Sequence, residues 1–240
     1  MLLLFRFTAL SIFSVSVAEM TVLGTLLLIG HSLPVEGVVA KRAGVPWWIT
    51  LSLRVAGALV LAAIIHQVYS VFGWGQEMAT ISWRPEAASD QWQVWMLAQG
   101  KTLLVILAVI TALMLLLELI KRLGLEGVLH WLLAPLLTTL GIGRAATNVT
   151  VIGATLGLSY GAGLLIRDLD RGVMSIRDSF LVPCFLGLCH SVIEDTLLIL
   201  LLDADLWAIL GARLIFAVGV IALLARTPFI QHLEQTKTSH

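Results

Sequence analysis

Residues Phe180–Leu202 read "FLVPCFLGLCHSVIEDTLLILLL". An apolar run of this length matches the roughly 20 residues a helix needs to cross a bilayer core of about 30 Å. Yet His190, Ser191, Glu194 and Asp195 stand in its middle, where ionisable side chains cost several kcal/mol unless paired or placed at a wet cavity. A second copy of the feature, "HSLPVEGV", begins at His31.

The surrounding composition sets the class. The 240 residues are 59% hydrophobic and 12% charged, with a mean hydropathy of +0.98; soluble domains carry roughly 25% charged residues. Apolar segments recur at 2–16, 20–40, 47–70, 101–120, 127–140, 146–166, 178–202 and 206–225. The fold class is an all-α integral membrane protein, a multi-span helical bundle. Net charge is zero, so no nucleic-acid partner is implied; the bilayer is the obligatory one. Cys184 and Cys189 fall in an apolar run and do not form a disulfide framework. The start, with its single Arg6, has no basic region before its apolar stretch and only a weak cleavage match at "SVAEM", and is expected to stay as a membrane helix.

Segment 127–140 is short for a span and suits a tilted helix or half of a re-entrant pair; "NVTVIGATLGLSYGAGLLIRD" reads as one small-residue helix. The Trp-rich connection 71–98 should lie against the external membrane surface, partly as an amphipathic helix. Basic short loops ("AKRAG", "IKRLG", "IRDLDRGVMSIRD") point inward and "LLDADL" outward. The C-terminal tail, 227–240, is then cytoplasmic, in a bacterial inner membrane. "GIGR", external if 127–140 crosses, is the exception because of Arg144.

Shifting the chain by 159 residues superposes His31 on His190, Ser32 on Ser191, Glu36 on Asp195, Trp48 on Trp207, Arg54 on Arg213 and Glu19 on Asp178. A basic turn follows the first copy and an acidic turn the second, so the two run in opposite directions across the membrane. Two inverted-topology repeats are therefore expected, at 1–70 and 99–226, with broken or re-entrant helices and a binding site near the midplane. The first repeat is short at its N-terminus. Either the first half is genuinely shorter or the chain begins inside a longer repeat, and a symmetric homodimer would then supply the missing packing.

Pro34 should break the first helix around Gly30–Leu33. Pro183 lies seven residues before His190, which places the second break elsewhere. Glu36 is a natural partner for Arg54, and Asp195 or Glu194 for Arg213. His190 and Glu194 share a helix face. The substrate-binding set is His31, Ser32, Glu36, Arg54, His190, Ser191, Glu194, Asp195 and Arg213, with Asn148 and Tyr160 as further cavity-lining residues. Histidine and carboxylate suit zinc, iron or manganese, but no tight ligand spacing marks a resident metal, and neither a cofactor nor a catalytic residue is expected.

The stretches "TVLGTLLLIGHSLPVEGVVAKRAG", "TVIGATLGLSYGAGLLIRD" and "FLGLCHSVIEDTLLILLLDADLWAILGARLIF" resemble bacterial nucleoside-recognition (Gate) domain membrane proteins, specifically a branch with paired His-Ser motifs. The resemblance covers about 16–66 and 99–226. It implies two inverted Gate repeats, related to concentrative nucleoside carriers, spore-maturation membrane proteins and the membrane part of the ferrous-iron transporter. No nucleoside-binding motif carries over.

These readings converge on an inner-membrane permease for a small solute or ion. Two alternatives come from other classes. An intramembrane metal-dependent enzyme needs a water-accessible ligand cluster. A structural or accessory subunit would use the same polar groups as a dry, fully paired network.

Overall fold

The computed structural model describes residues 15–80, 91–124 and 126–230. The expected span 2–16, the middle of the Trp-rich connection and most of the tail lie outside the described residues.

Ten α-helices and one π-helical segment follow in order: α1 (Val17–Gly30), α2 (Leu33–Arg42), α3 (Trp47–Phe72), α4 (Trp92–Arg122), α5 (Glu126–Thr139), α6 (Arg144–Leu156), α7 (Leu158–Asp170), α8 (Ile176–Leu188), α9 (Val192–Leu200), the π-helical turn Trp207–Ala212, and α10 (Arg213–Ala225). Among the described residues, five stretches are long and apolar enough to cross a membrane: Val17–Arg42, Trp47–Phe72, Trp92–Ile120, Ile176–Leu200 and Trp207–Ala225. The chain is an all-helical, multi-pass membrane protein. Two of the five stretches, α1–α2 and α8–α9, are each interrupted in the middle. The Trp-rich connection is shorter than its sequence suggested, because Trp92 and Trp95 belong to the first turns of α4.

Both interrupted helices start with the same local device. Ser16 Oγ accepts from the Glu19 amide at 3.2 Å while the Glu19 carboxylate accepts from the Ser16 amide at 2.8 Å, a reciprocal cap. Ser175 Oγ accepts from the Asp178 amide at 3.0 Å. The match of Glu19 with Asp178 is thus a helix-start signal, and Ser16 and Ser175 stand at the same offset.

Contacts at the helix ends fix the relative directions. At one end, the Ala18 amide donates to Gly75 O (2.9 Å) and the Thr80 amide donates to Asp203 Oδ2 (2.7 Å). This gathers the start of α1 and the turns after α3 and α9. At the other end, Arg42, the last residue of α2, pairs at 3.1 Å with Asp170, the last residue of α7, from which a short turn leads into α8. The two interrupted helices therefore run antiparallel.

The segment 146–166, expected as one helix, is instead two half-helices folded back on each other at Gly157 (φ 83°, ψ 172°). At about 1.5 Å per residue, the 13 residues of each fall short of a bilayer core. The reason is close packing of small residues: a Cβ built on Gly161 would lie 2.5 Å from Gly153 Cα. The turn before α6 sits beside the start of α8, where Arg177 donates to Leu140 O at 3.0 Å and the Gly143 amide to Asp178 Oδ1 at 3.2 Å. The chain thus enters and leaves the α6–α7 hairpin at the same end of the molecule. That geometry removes the Arg144 exception, because Arg144 now shares its end with Lys41, Arg42, Arg171 and Arg177.

The hairpin gives a paired prediction. Gly161→Ala should lower stability by about 1–3 kcal/mol, the usual cost of overpacking. Gly163→Ala, where nothing lies within 4 Å, should leave the thermal midpoint in detergent near that of the wild type. Equal midpoints for the two variants would show that α6 and α7 do not pack back to back.

Candidate functional site

The first helix breaks after Gly30, and Ser32 takes a left-handed conformation (φ 55°) before α2 begins. The second breaks after Leu188, and Ser191 takes the same conformation (φ 46°). Left-handed backbone is uncommon outside glycine and carries strain, so the same strain is held at both His-Ser pairs. The second break does not follow Pro183, which lies inside α8. This corrects the expectation that the two breaks differ. Pro34 occupies the second residue of α2, where a missing amide hydrogen costs little.

Arginine holds both breaks open. Arg54, fully buried, donates to Ile29 O (Nε 2.9 Å, Nη2 2.7 Å) and to His31 O (2.6 Å). Arg213, 2% exposed, donates to Leu188 O and His190 O at 3.0 Å each, and across to Leu28 O at 3.2 Å. A break frees carbonyls that the helix would otherwise bond, and the planar guanidinium fork satisfies two of them at once. Arg54 also pairs with buried Glu36, as expected. Arg213 stands 3.9 Å from Asp195 Oδ2, which selects Asp195 over Glu194 as its carboxylate.

Between the breaks lies an open cavity of about 430 Å³, lined by His31, Ser32, Val35, Glu36, Val39, Ala162, His190, Ser191, Glu194 and Asp195. Seven of the nine residues assigned to substrate binding thus line one cavity. The other two, Arg54 and Arg213, stand behind it as braces and are not among its lining residues. Asn148 is not among them either: its Oδ1 faces His130 Nε2 at 3.0 Å on an exposed face. The Tyr160 side chain lies outside the described residues. Sequence reasoning missed Val35, Val39 and Ala162, whose apolar side chains carry no signal of their own. It also missed the hairpin apex at Gly157, where an added Cβ would collide with Ser191 Oγ.

The polar groups converge. His31 Nε2 and His190 Nε2 are 3.3 Å apart. Glu36 Oε1 is 3.1 Å from His190 Nε2, and Asp195 Oδ2 is 3.6 Å from His31 Nε2 and 3.9 Å from His190 Nε2. Each imidazole is oriented by its other nitrogen: His31 Nδ1 lies 3.0 Å from Leu27 O, and His190 Nδ1 3.0 Å from Leu186 O. A carbonyl only accepts, so each Nδ1 carries the hydrogen and each Nε2 faces the cluster. The arrangement can bind a cation or a hydrogen-bonding solute between two antiparallel helices.

No family model and no solved structure matches the chain. Over 220 residues it is 32% identical to the protein described as "Uncharacterized membrane protein YvoD" of Bacillus subtilis (strain 168), covering 88% of this chain and 69% of that protein. The chain belongs to the YvoD family. That relative is described as a membrane protein, and five stretches of the described residues are long and apolar enough to cross a membrane, so the cavity is a feature of a membrane protein.

Proposed function

We propose that this YvoD-family chain is a permease of the bacterial inner membrane. In this reading two inverted Gate-like repeats cradle a small solute or ion in the cavity between the His-Ser breaks. The observation that carries the proposal is the cavity itself, which reaches both His-Ser motifs and is lined by both carboxylate positions. A dry, fully paired structural network would have no such opening. Broken helices with freed backbone beside charged side chains are how many secondary transporters build a midplane site. Gathering the basic residues at the end shared by Arg42 and Arg177 supports a cytoplasmic position for that end. The α6–α7 hairpin borders this cavity: its apex at Gly157 meets Ser191, and Ala162 of α7 is among the lining residues. A homodimer would cover part of α4, whose apolar side chains, such as Leu103, Leu107 and Leu115, are exposed.

The test is ligand-induced thermal stabilisation of the purified chain across nucleosides, divalent metals and organic anions. One class should raise the midpoint, and proteoliposomes should take up the same class. His190→Ala and Glu36→Gln should lose both effects. Uptake that survives in both variants would remove the cavity from the transport path.

A further inference from the structure

We infer that the cavity takes a first-row divalent transition-metal ion, ligated by His31 Nε2, His190 Nε2, Glu36 and Asp195. This deepens the permease reading by naming a substrate class, and it rests on the cavity being the binding site. His31, Glu36 and His190 each offer a ligand atom within 4.8 Å of the others, and the spacing of the two imidazoles matches tetrahedral coordination. Two imidazole nitrogens at about 2.05 Å from a zinc-sized ion, at the tetrahedral angle, lie about 3.3–3.4 Å apart; His31 Nε2 and His190 Nε2 are 3.3 Å apart. Asp195 Oδ2 stands further out, at 3.6 and 3.9 Å from the two nitrogens and outside the group of three, so its side chain has to turn inward to complete the fourth position.

The hydrogen-bond pattern independently calls for a cation. With both Nδ1 hydrogens directed at backbone carbonyls, two Nε2 lone pairs and the Glu36 Oε1 lone pairs face one another at 3.1–3.3 Å. Glu36 Oε1 and Asp195 Oδ2 are buried with no hydrogen-bond donor, and Glu36 is only 5% exposed. The three acceptors of His31, His190 and Glu36, gathered within 4.8 Å of one another, repel unless a positive species sits among them. The supporting shell is also that of a metal site: carbonyls orient the imidazoles, and Arg54 holds the far oxygen of Glu36. Mixed imidazole and carboxylate ligation favours zinc, iron or manganese over magnesium or calcium, which take oxygen. His31, 36% exposed at its side chain, forms the accessible side through which an ion would enter.

The experiment uses the full chain in detergent, stripped with chelator and titrated with Co²⁺ while its visible absorption is followed, then back-titrated with Zn²⁺. One Co²⁺ per chain with tetrahedral absorption, displaced by Zn²⁺, is expected. Removing a direct ligand should weaken binding more than the roughly 10–100-fold typical of outer-shell changes. His31→Ala and Asp195→Asn are the chosen variants, because both side chains line the cavity and neither braces a helix break. No Co²⁺ binding by the folded wild type would overturn the inference and leave a proton as the cation of the cluster. Undiminished binding in both variants would overturn it too, by placing the metal elsewhere. Metal binding without flux in proteoliposomes would uphold the inference while sinking the permease reading. Uptake of a metal-free solute by a chain that binds no Co²⁺ would do the reverse.

Discussion

Arg54→Ala should cost the protein about 3–5 kcal/mol, the penalty for breaking a buried ion pair by removing one partner. Arg54 is fully buried and carries three duties at once: the carbonyl of Ile29, the carbonyl of His31, and the carboxylate of Glu36. Its removal leaves all three without the donor that satisfies them. Lysine should not rescue, since a single ammonium cannot reproduce a fork that bridges two carbonyls and a carboxylate. Glu36→Gln should be milder, about 1–3 kcal/mol, because Arg54 keeps its carbonyls. That ordering separates a brace from a simple ion pair, in which either partner's loss would cost about the same. Unfolding of the purified variants in detergent, followed by circular dichroism against added denaturant, reads the difference. An Arg54→Ala protein as stable as the wild type would mean that the break at Ser32 holds itself.

The same residues show what the sequence could reveal. His31, Ser32, Glu36 and Arg54 were legible as a set because each has a partner of like chemistry 159 positions on, and polar groups in apolar spans are costly enough to be noticed. His31, Ser32 and Glu36 meet His190, Ser191 and Asp195 in one cavity because the two interrupted helices run antiparallel and face each other at their breaks. The role of Arg54 and Arg213 was not legible: a sequence shows a charge, whereas the brace depends on backbone carbonyls that any residue supplies. A proline rule misplaces the second break, because Pro183 lies inside α8. The structure ties both breaks to left-handed serines and arginine forks, which no proline rule detects. The fold-back at Gly157 was hidden for a similar reason. Glycines four residues apart signal close helix packing in general, and nothing in their spacing distinguishes packing against a neighbour from packing against the chain's own next turn. The helix caps, by contrast, were readable in principle, because Ser16 with Glu19 and Ser175 with Asp178 follow a spacing rule.

Access of water to the cavity between the His-Ser breaks is the point on which transport, metal binding and the placement of the site all depend. Val35 lines the cavity and is 65% exposed. Leu59 lies midway along α3 and is 58% exposed, away from the cavity. In a membrane these two exposures have different solvents: Val35 would face water, and Leu59 would face lipid. A thiol reacts as its thiolate, which hydrocarbon does not support, so a charged, membrane-impermeant thiosulfonate distinguishes them. The native Cys184 and Cys189, 3% and 0% exposed, should stay silent and make the wild-type protein the background. The decisive measurement is the labelling of Val35→Cys and Leu59→Cys in sealed membrane vesicles by that reagent. Near-complete modification of Val35→Cys from one face, with Leu59→Cys no more reactive than wild type, is the expected result; a Val35→Cys protein as inert as Leu59→Cys from both faces would mean that no aqueous cavity reaches the two motifs.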